Sequence, residues 1–147
     1  MSGPPLLVSA CLAGEPCRYD GSVAPHPAVL RLVEEGRAVP VCPEVLGGLP
    51  TPREPVELVA GRAMSRAGRD VTAEFELGAR LGLDVARARG CALAILKARS
   101  PSCGCGQVYD GTFSGRLVPG DGLFAALLQR HGIAVRTETD MEVDIGC

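Results

Sequence analysis

The stretch Ala94-Ile95-Leu96-Lys97-Ala98-Arg99-Ser100-Pro101-Ser102-Cys103-Gly104 decides the fold of this chain. An apolar run of strand length breaks abruptly into Ser, Pro, Cys and Gly, so we predict a buried strand that presents a thiol and two hydroxyl groups at its carboxyl end. The same design occurs twice earlier, where Leu6 to Ala10 runs into Cys11 and Ala38 to Val41 runs into Cys42. Open α/β sheets bind ligands beyond the carboxyl ends of their strands. We therefore expect the three loops to meet and their thiols to share a metal.

Helical patterns separate these strands. Thr72 is predicted to be the N-cap of the longest helix, and apolar residues follow it at helical spacing. Residues 56–71 alternate weakly and predict a small hairpin outside the parallel sheet. The predicted helices span residues 26–36, 72–90 and 123–132, the predicted loops 44–55 and 107–120, and the last strand 133–135. Strands that alternate with helices predict an α/β fold, a small three-layer sandwich with a mainly parallel sheet of about four strands.

Composition limits the number of domains and the kinds of partner. A length of 147 residues fits a single domain spanning 1–147. The net charge of -2 gives no electrostatic reason to bind duplex nucleic acid, because proteins that do so usually carry a basic face. The apolar segment before Cys11 is too short for a signal peptide or a membrane span. We therefore expect a cytoplasmic protein without a membrane partner.

The cysteines favour metal ligation or thiol chemistry, because seven of them in a reducing compartment are not a disulfide framework. Cys91 begins a buried strand and is expected to be core, and Cys147 lies in an acidic segment, 138–147, expected to be loosely held. Four cysteines lie at strand ends among turn residues, where burial alone does not explain a thiol. They are Cys11, Cys17, Cys42 and Cys103. Cys105 forms a C-x-C pair with the last of them and ranks below the four as an alternative thiolate.

Spacing alone does not name the metal, because this pattern matches neither zinc fingers nor two-cluster ferredoxins. Ligands from separate loops of a preformed sheet describe an active site better than a structural staple. Three thiolates on a cubane iron-sulfur cluster would leave one iron open to a substrate atom. The alternatives are a zinc hydrolase or structural zinc module, a metal-free sulfurtransferase with a persulfide on Cys103, and a non-catalytic electron-transfer or cluster-carrier protein.

Acid-base groups accompany the thiols. Glu44 follows Cys42 by two residues with a proline between them, which holds its carboxylate near whatever that cysteine binds and suits a general acid or base. Ser100 and Ser102 flank a second proline and can donate hydrogen bonds or relay a proton. Lys97 can point its ammonium group into the site or extend to the surface. The simpler interpretation of the glutamate and the serines is that they are ordinary loop and turn residues.

Eight segments carry a resemblance to a known family, and they follow one another over nearly the whole chain. They are Val8–Leu12, Cys17–Gly21, Val41–Glu44, Gly47–Arg53, Gly68–Thr72, Lys97, Ser100–Gly104 and Tyr109–Phe113. Together they resemble the thiouracil desulfidase family, also known as domain of unknown function 523. The chain departs from the family pattern at Cys105, an extra thiol beside the last cysteine motif, and we expect it to be without the additional domain that some relatives carry.

The resemblance implies a 4Fe-4S cluster held by three cysteines, whose remaining iron takes the sulfur of a thiocarbonyl such as that of 2-thiouracil. On the matching positions, the cluster ligands come from among Cys11, Cys17, Cys42 and Cys103, and Glu44 and Ser100 handle protons. One of the four cysteines is then not a ligand. The implied reaction is non-redox, with water attacking the carbon to give the oxo base and sulfide. The expected partner is a small thiolated pyrimidine, and the sequence does not indicate the oligomeric state.

Overall fold

The structure, a computed structural model, describes residues 4–140 and is built on a parallel sheet. The strands are β1 Leu6–Ser9, β2 Ala38–Val41, β3 Val56–Val59, β4 Arg62–Ser65, β5 Leu93–Leu96, β6 Gln107–Tyr109, β7 Leu117–Pro119 and β8 Ala134–Thr137, and the helices are α1 Pro27–Glu34, α2 Pro43–Leu46, α3 Thr72–Ala88 and α4 Leu123–Arg130. Four strands form the main sheet in the order β2-β1-β5-β8, all paired in parallel. Strands β3 and β4 pair antiparallel, as do β6 and β7.

Helices cover both faces of the sheet, because neighbouring residues of a strand point to opposite faces and both are apolar here. Leu7 of β1 packs into the core cluster that contains Leu83 of α3 and Phe124 of α4. Val8, the next residue, packs on the other face with Val29 of α1. This arrangement confirms the predicted three-layer α/β sandwich with four strands in its sheet.

Glycines bring α2 into backbone contact with α3. A Cβ on Gly78 would overlap the carbonyl oxygen of Pro43 and lie 2.7 Å from its carbonyl carbon. A Cβ on Gly47, which follows α2, would likewise overlap the carbonyl oxygen of Glu74 in α3. Cys42 and Glu44 flank Pro43 in the sequence, so the packing of α2 on α3 fixes the position of both.

The small hairpin predicted within residues 56–71 is confirmed as β3 and β4. The predicted N-cap at Thr72 is wrong by one residue, because α3 begins at Thr72 and Val71 is its cap. The Thr72 hydroxyl instead accepts a hydrogen bond from the Ala63 N–H at 2.9 Å, and its N–H donates to Asp70 Oδ1 at 2.9 Å. The side chain therefore ties the helix start to β4.

Two predicted loops contain regular structure. The segment 44–55 begins inside the short helix α2, and the segment 107–120 contains the antiparallel pair β6 and β7. The pair escaped prediction because each of its strands has three residues and a glycine-rich turn joins them. Such short strands carry too little alternation to be recognised from sequence.

The sequence predicts a loosely held segment at residues 138–147, and this prediction is wrong for the first of these residues. Glu138 is buried, and its carboxylate accepts hydrogen bonds from Lys97 Nζ at 2.8 Å and from the Ala98 N–H at 2.7 Å. Cys147 and the remainder of that acidic segment beyond residue 140 lie outside the described residues. Cys91 is buried in the core, as predicted. No helix between residues 4 and 140 combines the length and the apolar character needed to cross a membrane.

Candidate metal centre and active site

A cavity of about 470 Å³ opens at the carboxyl ends of β1, β2 and β5. These strands are neighbours in the sheet, so the loops that follow them converge although they are far apart in sequence. The cavity lining includes the six residues to which the resemblance assigns cluster ligation or proton handling, namely Cys11, Cys17, Cys42, Glu44, Ser100 and Cys103. The structure thus brings all six to one place.

Three of the four cysteines are positioned by the backbone that follows a strand. Cys11 lies in a 3-10 turn, Ala10–Ala13, that continues β1, and it is buried. Cys42 occupies the N-cap position of α2, directly after β2. Cys103 is buried in the turns that follow β5. Cys17 lies farther along the first loop, and its carbonyl oxygen accepts a hydrogen bond from the Cys42 thiol at 3.7 Å.

The thiols perturb one another. Contact with the Cys11 thiol is the main cause that raises the pKa of Cys17 to about 11, although contact with Cys42 lowers it. The Cys17 thiol and burial together raise the pKa of Cys42. Burial raises the pKa of Cys103 to about 12, against the lowering effect of the Ser9 hydroxyl. Without a cation these three sulfurs are neutral thiols at pH 7, and metal binding would be needed to hold them as thiolates.

The donor set fits an iron-sulfur cluster. Thiolate sulfur suits soft metal centres, including zinc and iron-sulfur clusters. A structural zinc ion needs four donors about 2.3 Å from one point. Within residues 4–140, no group of three or more His, Cys, Asp and Glu side chains is arranged to hold one metal ion. The thiol of Cys17 contacts those of Cys11 and Cys42, and cysteine thiolates grouped in this way are the usual ligands of iron-sulfur clusters.

Glu44 is a buried carboxylate with a single strong partner. Its Oε1 accepts a hydrogen bond from Arg53 Nε at 2.9 Å, and the two side chains are 15% and 6% exposed. Burial raises the pKa of Glu44, and the Arg53 guanidinium opposes that shift. The carboxylate is consequently a better base than an exposed glutamate, and its position is fixed by the ion pair.

Arg53 is a site residue to which the sequence analysis gave no role. Its Nη2 donates to the Cys17 carbonyl oxygen at 2.9 Å, and its Nη1 donates to the Pro50 carbonyl oxygen at 3.1 Å and to Thr51 Oγ1 at 2.9 Å. One guanidinium therefore joins the Cys17 loop, the loop before Arg53 and the catalytic candidate Glu44. The available signal was the arginine at the end of a loop rich in Gly and Pro. A buried arginine requires several hydrogen-bond acceptors, so one at such a position can join neighbouring loops.

Ser100 keeps its proton available to the cavity. Its Oγ accepts hydrogen bonds from the Ser102 N–H at 3.1 Å and the Cys103 N–H at 3.0 Å, so its own O–H can be donated elsewhere. Ser102 is buried beside the Cys103 thiol, and its hydroxyl has no hydrogen-bond partner in the part of the chain that the structure describes. Of the two serines, only Ser100 lines the cavity.

Lys97 contributes through its backbone and through an ion pair. Its ammonium group binds Glu138 at 2.8 Å, so the charge that it brings to the cavity wall is neutralised. Its N–H donates to Ser9 Oγ at 2.8 Å, which leaves the Ser9 proton free to reach the Cys103 thiol. Ser9, at the end of β1, is a second site residue that sequence analysis missed.

The opposite wall of the cavity comes from outside the main sheet. Glu57 of β3, Arg66 after β4, and Tyr109 and Phe113 from the excursion after β5 all line it. The extra thiol, Cys105, is not part of this lining. Its Sγ lies 3.9 Å from the Val135 carbonyl oxygen, beside a separate and smaller cavity. The structure therefore separates Cys105 from the four cysteines selected from the sequence.

Comparisons with known proteins place the chain in a family. A family model described as 2-thiouracil desulfurase matches residues 6–140. A solved structure, "[4Fe-4S]-dependent thiouracil desulfidase TudS", is 46% identical and superposes with a TM-score of 0.90, covering 95% of this chain and 94% of that one. An uncharacterized protein of Bacillus subtilis (strain 168), YbbK, is 42% identical over 146 residues, which is 92% of this chain and 97% of that protein.

Proposed function

The chain belongs to the 2-thiouracil desulfurase family, and on that basis we propose that it removes sulfur from a thiocarbonyl substrate such as 2-thiouracil with a 4Fe-4S cluster as cofactor. The observation that carries the proposal is the single cavity onto which four cysteines, a buried carboxylate and a serine hydroxyl converge. The reaction exchanges C=S for C=O. Water supplies the oxygen and sulfide is released, so no electrons are transferred and the enzyme is a hydrolase.

Three of the four cavity cysteines would hold the cluster, and they are drawn from Cys11, Cys17, Cys42 and Cys103. When bound, a cluster with three protein ligands supplies one iron that can act as a Lewis acid toward the substrate sulfur. The protein contributes the enclosure. Its cysteines follow three neighbouring strands, which hold the sulfurs rigidly and leave the rest of the cavity for the substrate.

Glu44 is proposed to be the general base. Its carboxylate lines the cavity, and burial raises its pKa, which makes it a stronger base than an exposed glutamate. The Arg53 guanidinium opposes that shift and keeps the carboxylate oriented. Water activated in this way attacks the carbon of the C=S group, and Glu44 takes the proton that the water loses.

Ser100 is proposed to handle a proton on the substrate side. Two backbone N–H groups point at its Oγ, which leaves the hydroxyl proton as the group that it can donate into the cavity. A hydroxyl held in this way can stabilise negative charge on a ring nitrogen or on the new oxygen while sulfide leaves. The proton that Glu44 accepted can then go to the departing sulfur, and the second water proton leaves the new oxygen as C=O forms, so that the products are the oxo base, hydrosulfide and one proton.

We also propose that the chain acts as one cytoplasmic domain on a small molecule. The six cysteines among the described residues are free thiols, as expected in a reducing compartment. The net charge of -2 argues against duplex nucleic acid as a partner, and a membrane partner is not part of the proposal. Size-exclusion chromatography and cell fractionation test these points.

Anaerobic purification and reconstitution test the proposed function. We expect a coloured protein with iron and acid-labile sulfide that converts 2-thiouracil into equal amounts of uracil and sulfide. A colourless protein with stoichiometric zinc and no turnover would support the zinc alternative. Turnover that survives complete chelation would instead support a metal-free sulfurtransferase, and redox cycling without turnover would support an electron carrier.

Variants separate the roles of the site residues. Glu44→Gln keeps an acceptor for Arg53 and should keep the cluster, but it should lower kcat by about 10²- to 10⁴-fold because a general base is lost. Serine replacements of the four cavity cysteines should abolish cluster binding in three cases and preserve it in the fourth. Cys105→Ser is the matched control and should change neither iron content nor kcat, because its thiol lies outside the cavity. Wild-type rates in Glu44→Gln would remove this residue from the mechanism.

A further inference from the structure

Phe113 is held in a backbone conformation that its side chain disfavours. Its φ of 56° lies in the left-handed region, which residues other than glycine, asparagine and aspartate rarely occupy. The ring is only half buried, so burial in a core does not compensate for this conformation. Strained residues of this kind cluster at ligand-binding and active sites, where the surrounding structure imposes them.

The surrounding structure imposes this one through a buried carboxylate. Glu57, 9% exposed, accepts hydrogen bonds at Oε1 from the Gly111 N–H at 2.9 Å and from the Phe113 N–H at 3.0 Å. Gly111 fits closely against β3, where a Cβ would lie 2.9 Å from the Leu58 carbonyl oxygen. The loop that carries Phe113 is therefore attached to the hairpin at two successive points.

The ring occupies a defined position in the cavity wall. Phe113 lines the same cavity as the cysteines, Glu44 and Ser100. The Arg66 guanidinium, which also lines the cavity, lies 5.5 Å from the centroid of the Phe113 ring, in cation–π range. A flat apolar ring with a guanidinium against it therefore forms part of the wall of the proposed reaction chamber.

We propose that Phe113 is the stacking surface for the planar heterocycle of the substrate, with Glu57 as the residue that positions it. The inference rests on the proposed function and deepens it, because it names the part of the cavity that selects a flat aromatic thiocarbonyl. Aromatic rings pack on one another in offset-stacked or edge-to-face arrangements, and a ring that already lies in the cavity wall needs little reorganisation on binding. The strained backbone at Phe113 thus serves to orient its ring.

Kinetics and binding of Phe113 variants test the proposal in the reconstituted holoenzyme. Phe113→Leu keeps an apolar side chain but removes the aromatic face. We expect it to raise KM for 2-thiouracil and the calorimetric Kd for the product uracil by about 5- to 100-fold, as when a base loses its aromatic stacking partner. The iron content should stay constant and kcat should change much less than KM. Phe113→Tyr retains the ring and should restore values near those of the wild type.

Phe113→Gly distinguishes a ligand-binding role from a structural one. Glycine adopts a φ of 56° without strain, so this variant should keep or raise Tm while it weakens uracil binding. A lower Tm with unchanged KM and Kd would show that Phe113 only stabilises the fold and would overturn the proposal. Equal uracil affinity in the wild type and Phe113→Leu, or no uracil binding by the wild type, would overturn it as well.

A double-mutant cycle tests the positioning role of Glu57. Glu57→Ala should raise KM and the uracil Kd by a factor similar to that of Phe113→Leu, and it should add little in the Phe113→Leu background because both act through one ring. Additive effects would exclude this role for Glu57. Absence of turnover in the wild type would overturn the proposed function alone, because uracil binding examines the stacking surface without the reaction.

Discussion

Replacement of Gly78 by alanine tests how the core controls the site. Alanine favours the helix over glycine by about 1 kcal/mol. The new Cβ, however, would overlap the Pro43 carbonyl oxygen and lie 2.7 Å from its carbon, whereas carbon atoms normally keep about 3.5–4.0 Å. Relief requires α2 and α3 to separate by about 1 Å, since the opposing group is backbone and cannot rotate away. Overpacking of this kind costs about 1–3 kcal/mol, so we expect net destabilisation.

Gly78→Ala should raise the activation free energy of the reaction by more than it lowers the free energy of unfolding. Cys42 and Glu44 flank Pro43 and must move with it, and a displacement of about 1 Å at reacting groups can lower kcat by about 10²-fold. Urea denaturation and 2-thiouracil turnover measure the two effects. Gly82→Ala is the matched control, because its Cβ would lie 2.7 Å from the Phe124 ring and does not press on α2. It should lower stability while kcat is largely retained. A Gly78→Ala enzyme that is both stable and fully active would refute the reasoning.

Two further predictions concern charge. Arg53→Met should leave Glu44 as an unpaired buried carboxylate and lower stability by about 3–5 kcal/mol. Without Arg53, the folded-state pKa of Glu44 rises further above its unfolded value. The loss of unfolding free energy relative to the wild type should therefore be small near pH 4 and grow toward pH 8. A loss that does not depend on pH in urea unfolding would contradict this. Hydrogen bonds from Thr72 and Arg62 lower the pKa of Asp70 to about 2, so its stabilisation is present above pH 3.8 and is lost as the pH falls through about 2. The Tm of Asp70→Asn should approach that of the wild type as the pH falls below 2, and it should lie below that of the wild type at pH 6.

The parallel sheet was predictable because its signals are local. Each of β1, β2 and β5 is an apolar run that stops at polar and turn residues, and such a run needs no knowledge of the rest of the chain to be recognised. The site cysteines follow from the same pattern, because loops after neighbouring parallel strands share one edge. Glu44 could be selected for a similar reason, since it lies two residues from Cys42.

Residues that act over long sequence distances could not be predicted in this way. Arg53 reaches Cys17 across 36 positions, and Glu57 binds the N–H of Phe113 across 56. In neither pair does the sequence around one residue indicate its distant partner. The helix start at Thr72 was misplaced for a related reason, because its hydroxyl bonds to Ala63 in a neighbouring hairpin and is thereby withdrawn from capping. Tertiary contacts override local preference at these positions.

The strand order β2-β1-β5-β8 also bears on how the protein matures. During synthesis the segment with Cys11 and Cys42 leaves the ribosome well before Cys103, and β5 must insert beside β1 before that last thiol can approach the others. A nascent chain that ends before Cys103 therefore offers at most three of the four cavity sulfurs. Where Cys103 is one of the three ligands, the cluster can be completed only after β5 has paired with β1.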